Sequence, residues 1–471
     1  MNQPVSQLQN LFDQQRARFS FASVPAVSER ITQLRALGDA LRQREDDLVE
    51  AVNQDFGGRN GVETRSAEIA VCIGAINHTI KHLKTWAAPR RMGNFGNNIP
   101  GKTYIQRQAK GVVGIISPWN YPVQLALVPI ITALAAGNRI MLKPSELTPA
   151  TNQVLIDILG GVFDDTQVAV ITGESEVGKA FSALPFDHLF YTGSTQVGRQ
   201  VAMAAASNLT PVTLELGGKS PCLMMPDASP DSHSELVAFG KTYNAGQTCV
   251  APDYLLVPKG QGQAYAQAII AHANAFFDDD ANPETYTAII SEKHRQRLSA
   301  MVDEARAGGA QVLQAESVGA NNPRCFAPTV VLSPDPEGAL MREEIFGPVL
   351  PVIEYQQIDV ALDFINQRDH PLALYIFGNS TQAAEKILDQ TTSGGAMING
   401  TIVHVAVEHL PFGGVGKSGY GAYHGERGFC ELSHERSVLV FPRWKFLSRI
   451  LTPPFGKVLN FITRKTIDKR G

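Results

Sequence analysis

GVVGIISPWNYPVQLALVPIITALAAGNRIMLKPSELTP, residues 111–149, carries the rhythm that decides the fold. GVVGIIS reads as a short buried strand. Pro122, after Asn120 and Tyr121, stands where a first helical turn tolerates a missing N–H. The apolar run 123–136 holds Gln124, Pro129 and Thr132. It falls short of the ~17–25 residues that cross a bilayer, so it reads as a buried core helix. Gly137–Asn138 stops that helix, and RIMLKPS is the next strand.

The same alternation runs onward. A helix near 149–162, strand QVAVITG, a helix near 175–183, strand HLFYTG, a helix over 195–206 and strand PVTLELGG follow in turn. Strands alternating with helices predict a doubly wound parallel sheet from about residue 110 to 218. Beyond it come SPCLMMP, a helix near 232–245, YLLVP, a helix pair over about 263–307, and strands near 311–314, 328–332 and 349–354. That is a second α/β domain. Upstream, Ile31, Leu34, Leu37, Leu41 and Leu48 predict one amphipathic helix over 26–54, and a second is expected over 62–86. Residues 89–108 break the pattern with Pro89, Gly93, Gly96 and Pro100, and TYIQRQ alternates like a hairpin arm.

A chain of 471 residues exceeds the ~250–300 that one core serves, so two or three domains are expected. With 44% apolar and 18% charged residues it is a folded globular chain, and a net charge of −4 does not suit a general nucleic-acid binder. The five cysteines are far apart with no CxxC, which predicts neither a disulfide framework nor a metal knuckle. The N-terminus has no apolar leader region. Together these point to a reducing, cytoplasmic setting. The tail, 443–471, differs: eight Lys and Arg stand against Asp468, with Phe446, Leu447, Ile450, Leu451 and further apolar residues interleaved. It reads as packing on a partner subunit in preference to an anionic membrane surface, because Pro453–Pro454 and Gly456 break any long helix.

Several short motifs are decoys. GESEVGKA (173–180) has Ala180 where a P-loop needs Ser or Thr, and GVGKSG (414–419) follows no clear strand. FYTGSTQVGR (190–199) is stronger. A strand runs into Gly193, Ser194 opens a helix and Gly198 lies one turn in, an arrangement that can hold a pyrophosphate on free N–H groups. An ordinary βα turn explains that segment equally well. Cys249, in FGKTYNAGQTCVAPDY, sits on a polar loop, whereas Cys72 and Cys222 read as small core hydrophobes. No His is close in sequence to Cys249. Glu215, ending PVTLELGG at a strand's carboxyl edge, is the candidate base, with an exposed edge glutamate as the plain alternative.

In combination these motifs resemble the aldehyde dehydrogenase superfamily: SPWNYP (117–122), KPSELTP (143–149), YTGSTQVGR (191–199), LELGGKSP (214–221), NAGQTCVAPD (244–253), EEIFGPVLPV (343–352) and PFGGVGKSG (411–419). QTCVAPDY, PLALYIFG and PFGGVGKSGYGAYHG resemble its class 3 branch, and within that branch the coniferyl-aldehyde dehydrogenases. The chain departs from the branch at Asn399–Gly400, where an Asn-Asp pair is usual. The resemblance implies that the Cys249 thiolate attacks an aldehyde, with the oxyanion held by the Asn120 amide and the Cys249 N–H. Hydride then leaves for NAD(P)+, and Glu215 activates the water that hydrolyses the thioester. It further implies Lys143 and Glu146 at the adenosine ribose, Gly193, Ser194 and Gly198 around the pyrophosphate, Glu344 at the nicotinamide ribose and Phe346 beside that ring. NAD+ is the first expectation, with NADP+ kept open by Lys143.

The implied domains are 1–87 with 109–217 for the cofactor, 218–423 for catalysis, 88–108 with 424–442 as an oligomerisation arm, and 443–471 as the basic tail. A homodimer is implied too. An aromatic substrate such as coniferaldehyde is expected, with medium- or long-chain aliphatic aldehydes as the alternative. Transfer of the acyl group to coenzyme A conflicts with a water-activating Glu215, and a non-catalytic NAD-binding role conflicts with the full set of competent residues.

Overall fold

The computed structural model describes residues 5–96, 99–277, 286–316, 318 and 322–468. Residues 97–98 of the expected arm, 278–285 within the expected helix pair, and Lys469 and Arg470 of the tail lie outside these. The chain forms two compact units: residues 1–86 with 109–433, and residues 87–108 with 434–471.

The first unit holds two sheets. One runs Gly419–Tyr420, Val212–Leu216, His188–Gly193, Val112–Ile116, Arg139–Lys143, Val168–Val170, parallel apart from the short first strand. Chain order reverses between Val112–Ile116 and His188–Gly193, the switch point where the carboxyl ends of a doubly wound sheet open a crevice. The second sheet runs Gln311–Gln314, Thr329–Leu332, Val349–Tyr355, Tyr254–Pro258, Pro221–Met224, Ala373–Phe377, Gly395–Ile398, with only the first pair antiparallel. Near-continuous Val, Ile and Leu in these strands follows from helices covering both faces.

Helix Gln124–Ala136 is buried at every position, and Gly137 closes it in the left-handed conformation at φ 88°. Three readings change. The helix expected over 26–54 is two, Val27–Gln43 and Glu45–Phe56, broken at Arg44, because three acidic residues start the second helix at its positive end. A further helix, Val5–Arg18, precedes them and inserts Leu8 and Phe12 into the core beside Phe181 and Phe186. Residues 424–433, expected in the arm, belong to the first unit: helix Gly425–Glu431 is closed against Thr132 of helix Gln124–Ala136 at Gly428, and the Asn138 amide donates to the Leu432 carbonyl.

The second unit is an antiparallel sheet of Arg90–Gly96, Ile99–Ala109 and Ser433–Val440, followed by helices Lys445–Leu451 and Lys457–Asp468. Pro453, Pro454 and Gly456 separate those two helices.

Candidate active site

Cys249 follows a tight turn, Tyr243–Gly246, in which Asn244 (φ 52°), Ala245 (φ 50°) and Gly246 (φ 70°) are all left-handed. Two non-glycine residues in that region cost of order 1–3 kcal/mol each and persist only where neighbours hold them. They are held by Glu63, Asn120 and Gln247. The Glu63 carboxylate accepts from the Asn244 N–H at 3.2 Å. The Asn244 amide donates to the carbonyls of Asn120 (3.0 Å) and Gln247 (3.1 Å). The buried Gln247 amide donates to Asn244 O and Ala288 O and accepts from the Ile290 N–H, at 3.0, 3.0 and 2.9 Å.

Asn120 sits on the loop after strand Val112–Ile116, and its amide donates to the Gln247 carbonyl at 3.1 Å. Tyr121 and Thr248 join hydroxyls at 2.7 Å, so the Asn120 and Cys249 loops are tied twice. Beneath them lies a fully buried ion pair, Arg59 to Glu68 at 2.8 Å. Arg59 also donates to the Asn120 carbonyl at 3.2 Å and packs its guanidinium over the rings of Phe56 and Tyr121. Glu68 accepts from the N–H groups of Val123 (2.6 Å) and Gln124 (3.2 Å), where helix Gln124–Ala136 begins. Burial pushes the Glu68 carboxyl upward and Arg59 opposes that shift. Glu63, Glu68 and Arg59 were not singled out in the sequence. Their stretch, GRNGVETRSAEIAV, resembles the polar side of a helix, and the turn at Arg65–Ile69 widens to i→i+5 bonds that no local pattern announces.

One cavity gathers Asn120, Glu215, Cys249, Glu344 and Phe346 with Gly193 and Ser194 in its wall. Glu215, 3% exposed, pairs across the sheet with Thr192 and Gly419. Neither of its carboxyl oxygens has a hydrogen-bond partner among the described residues. Burial first, then Glu431, raises its pKa well above the ordinary carboxylate value. The Cys249 thiol is pushed up to about 12 by burial, with Glu344 and Glu215 adding to it and the N–H groups of Cys249 and Val250 opposing. Glu344 rises to about 8 through burial and Asp253, against the Gly218 N–H, Lys219 and Arg297. Its carboxylate occupies the space a Cβ on Gly217 would need. Phe346, at φ 49°, meets Trp119 edge-on at 5.4 Å between ring centres.

A neighbouring cavity is lined by Lys143, Glu146, Gly193 and Ser194, and shares Pro118, Trp119, Thr192, Gly193, Ser194 and His294 with the first. The two form one cleft along the switch point. Lys143 donates to Glu146 at 2.8 Å. Burial raises the Glu146 carboxyl, but the Lys143 bond, the Glu146 N–H and the Lys143 charge together outweigh it, so its pKa lies below the ordinary value. Ser194 caps helix Thr195–Ala206, accepting from the Val197 N–H at 3.4 Å. Gly198 lines neither cavity, and a Cβ there would strike Leu216, so its bare backbone seats the helix on the sheet. At the departure noted above, Asn399 (φ 55°) bonds both backbone groups of Gly378, and a Cβ at Gly400 would strike the Met397 side chain. Pairing with Gly378 is what fixes that segment.

A cysteine and a buried carboxyl lining one cavity, beside a crevice with a capped helix start and a carboxylate–lysine pair, define a nucleophilic enzyme that uses a dinucleotide. A model of the aldehyde dehydrogenase family matches residues 6–438, and the chain belongs to that family. It is an NAD(P)-dependent aldehyde dehydrogenase. The chain is 43% identical over 463 residues to the probable coniferyl aldehyde dehydrogenase of Pseudomonas aeruginosa, covering 98% of this chain and 97% of that one. Among solved structures it is similar to substrate-bound AldH of Staphylococcus aureus, with a TM-score of 0.91 and 37% identity over 98% and 99% of the two chains. It is also similar to a Mycobacterium tuberculosis aldehyde dehydrogenase in complex with NAD+, with a TM-score of 0.84 and 28% identity over 94% and 92%.

Proposed function

We propose that this enzyme oxidises an aromatic aldehyde of the coniferaldehyde type to its carboxylic acid, with Cys249 as nucleophile, Asn120 as oxyanion donor and Glu215 as general base. The carrying observation is the meeting of these three side chains in one cavity, with both Glu215 oxygens unpaired and the opposing loops bolted through Gln247. Likeness to the coniferyl aldehyde dehydrogenase of Pseudomonas aeruginosa supports the substrate class.

At rest the raised Cys249 and Glu215 pKa values favour a thiol and a carboxyl, so the buried pair carries little charge. Attack therefore needs Glu215 first to release its proton to solvent; as a carboxylate it then takes the thiol proton directly or through one water. The forming S–C bond pushes charge onto the aldehyde oxygen, where the Asn120 amide and the Cys249 N–H receive it. After oxidation the acyl group remains on Cys249 as a thioester. Once Glu215 has passed the thiol proton to solvent and is a carboxylate again, it takes a proton from water, and the hydroxide delivered to the carbonyl carbon expels the thiolate.

NAD+ suits the neighbouring crevice, and when bound the oxidised nicotinamide accepts the hydride. The Ser194 helix start would hold its pyrophosphate, with Gly193 allowing close approach. Lys143 and Glu146 would bind the adenosine ribose, and Glu344 and Phe346 the nicotinamide end. The Glu146 carboxylate favours a free 2′-hydroxyl over a 2′-phosphate. We assign the Val112–Leu216 sheet to cofactor binding and the Pro221–Ile398 sheet to catalysis. The second unit is assigned to dimerisation, because edge strand Ser433–Val440 exposes Leu439 and Val440.

The test follows NADH absorbance over a panel of aromatic and aliphatic aldehydes, beside Cys249→Ala. Turnover of hydroxycinnamaldehydes that vanishes in the variant is the expected result. Preference for straight-chain aldehydes would replace the substrate class, and activity surviving in Cys249→Ala would remove the mechanism.

A further inference from the structure

His424 is 2% exposed, and neither ring nitrogen has a hydrogen-bond partner among the described residues. Buried polar groups are almost always paired, so an imidazole orphaned at both nitrogens calls for a ligand. Its ring borders the cavity of Cys249 and Glu215, in a wall made with Phe412, Tyr423, Leu125, Leu372 and Val405. None of these six residues lines the neighbouring crevice, so the wall belongs to the aldehyde's share of the cleft. Phe412 stacks on His424 with ring centres 5.5 Å apart, and Tyr423 meets it edge-on at 4.4 Å. The backbone at His424 is left-handed, φ 76°, a conformation that non-glycine residues hold at a cost. Two aromatic rings therefore hold an unpaired imidazole in a strained pose beside the apolar side chains of Leu125, Leu372 and Val405.

Burial and His404 lower the His424 pKa to about 4, so the ring is neutral near pH 7. A neutral imidazole offers one acceptor nitrogen and one N–H. A phenolic hydroxyl is the complementary group: its O–H donates to the bare nitrogen, at the distal end of a planar ring that the aromatic and aliphatic wall would hold.

Resting on the aromatic reading above, we propose that His424 is a specificity-determining residue that receives the ring hydroxyl of a 4-hydroxyarylaldehyde while the aldehyde carbon lies at Cys249. It takes no part in the chemical step. The ring hydroxyl is recognised and the methyl ether or bare ring is not.

The experiment measures kcat/KM at saturating NAD+ for 4-hydroxycinnamaldehyde, 4-methoxycinnamaldehyde and cinnamaldehyde, with the wild type, His424→Phe and His424→Gln. For one neutral hydrogen bond the wild type should favour the hydroxylated substrate by roughly tenfold over either analogue. His424→Phe should bring that ratio close to one, and His424→Gln should restore part of it. A wild-type ratio near one overturns the proposal without any variant, and so does an equal fall on all three substrates in His424→Phe. Should only aliphatic aldehydes be oxidised, the aromatic reading falls and this inference with it. Turnover of cinnamaldehyde with no hydroxyl preference removes the His424 role alone.

Discussion

The buried Arg59–Glu68 pair should reveal itself as a coupled unit when either partner is removed. Both side chains are fully buried, and each holds part of the site: Arg59 the Asn120 carbonyl, Glu68 the first N–H groups of helix Gln124–Ala136. Arg59→Met strands a carboxylate, and Glu68→Gln strands a guanidinium. Each single change should cost about 3–5 kcal/mol, because an unpaired charge is left without water. Unfolding entropy of ~2.1 cal/mol/K per residue, over 471 residues, gives about 1 kcal/mol per degree at the midpoint. Each single variant should therefore melt about 3–5 °C lower. The double variant removes both charges and should recover most of that loss. Its activity should stay low, because the Asn120 carbonyl keeps only one of its two donors, the Asn244 amide. Trp119, whose ring lies 6.3 Å from Phe56 beside the pair, makes tryptophan fluorescence a suitable thermal readout. Additive losses in the double variant, or single losses under about 1 kcal/mol, would refute the reasoning.

Three further outcomes are expected. Glu215→Gln removes the acceptor for both the thiol and the water proton, so NADH formation should slow ~10²–10⁴-fold with no burst, and full steady-state turnover would remove Glu215 as base. Gly217→Ala should push the Glu344 carboxylate aside and lower kcat/KM for NAD+ by up to roughly 10²-fold; unchanged cofactor kinetics would show that Glu344 is not needed there. Glu344 is raised from 4.5 to about 8, so its contribution to stability is full below pH 4.5 and is lost as the pH climbs through about 8. The melting point of Glu344→Gln relative to wild type should accordingly rise between about pH 5 and about pH 9. A constant difference across that range would contradict the burial of this carboxyl.

The sequence by itself determined the alternation of strand and helix, because the signal is local: a run such as GVVGII, a stop at Gly137, a helix opened by Ser194. It also picked out Cys249 and Glu215, since a cysteine on a polar loop and a carboxylate at a strand's carboxyl edge are both unusual within their own few residues. Local reading went wrong where two acts share one pattern. The break at Arg44 lies inside an unbroken amphipathic stripe, which one long helix and two shorter ones present alike.

Tertiary structure alone decided what holds the site. Glu63, Arg59 and Glu68 reach Asn244, Asn120 and Val123 across intervals that no periodicity spans. His424 likewise reaches the cavity only because its loop folds back beside Phe412. A charged residue in a sequence looks the same whether water or another side chain will solvate it. Which of the two occurs depends on what the distant chain brings to that spot, and the pKa values and unpaired atoms of this site are set there.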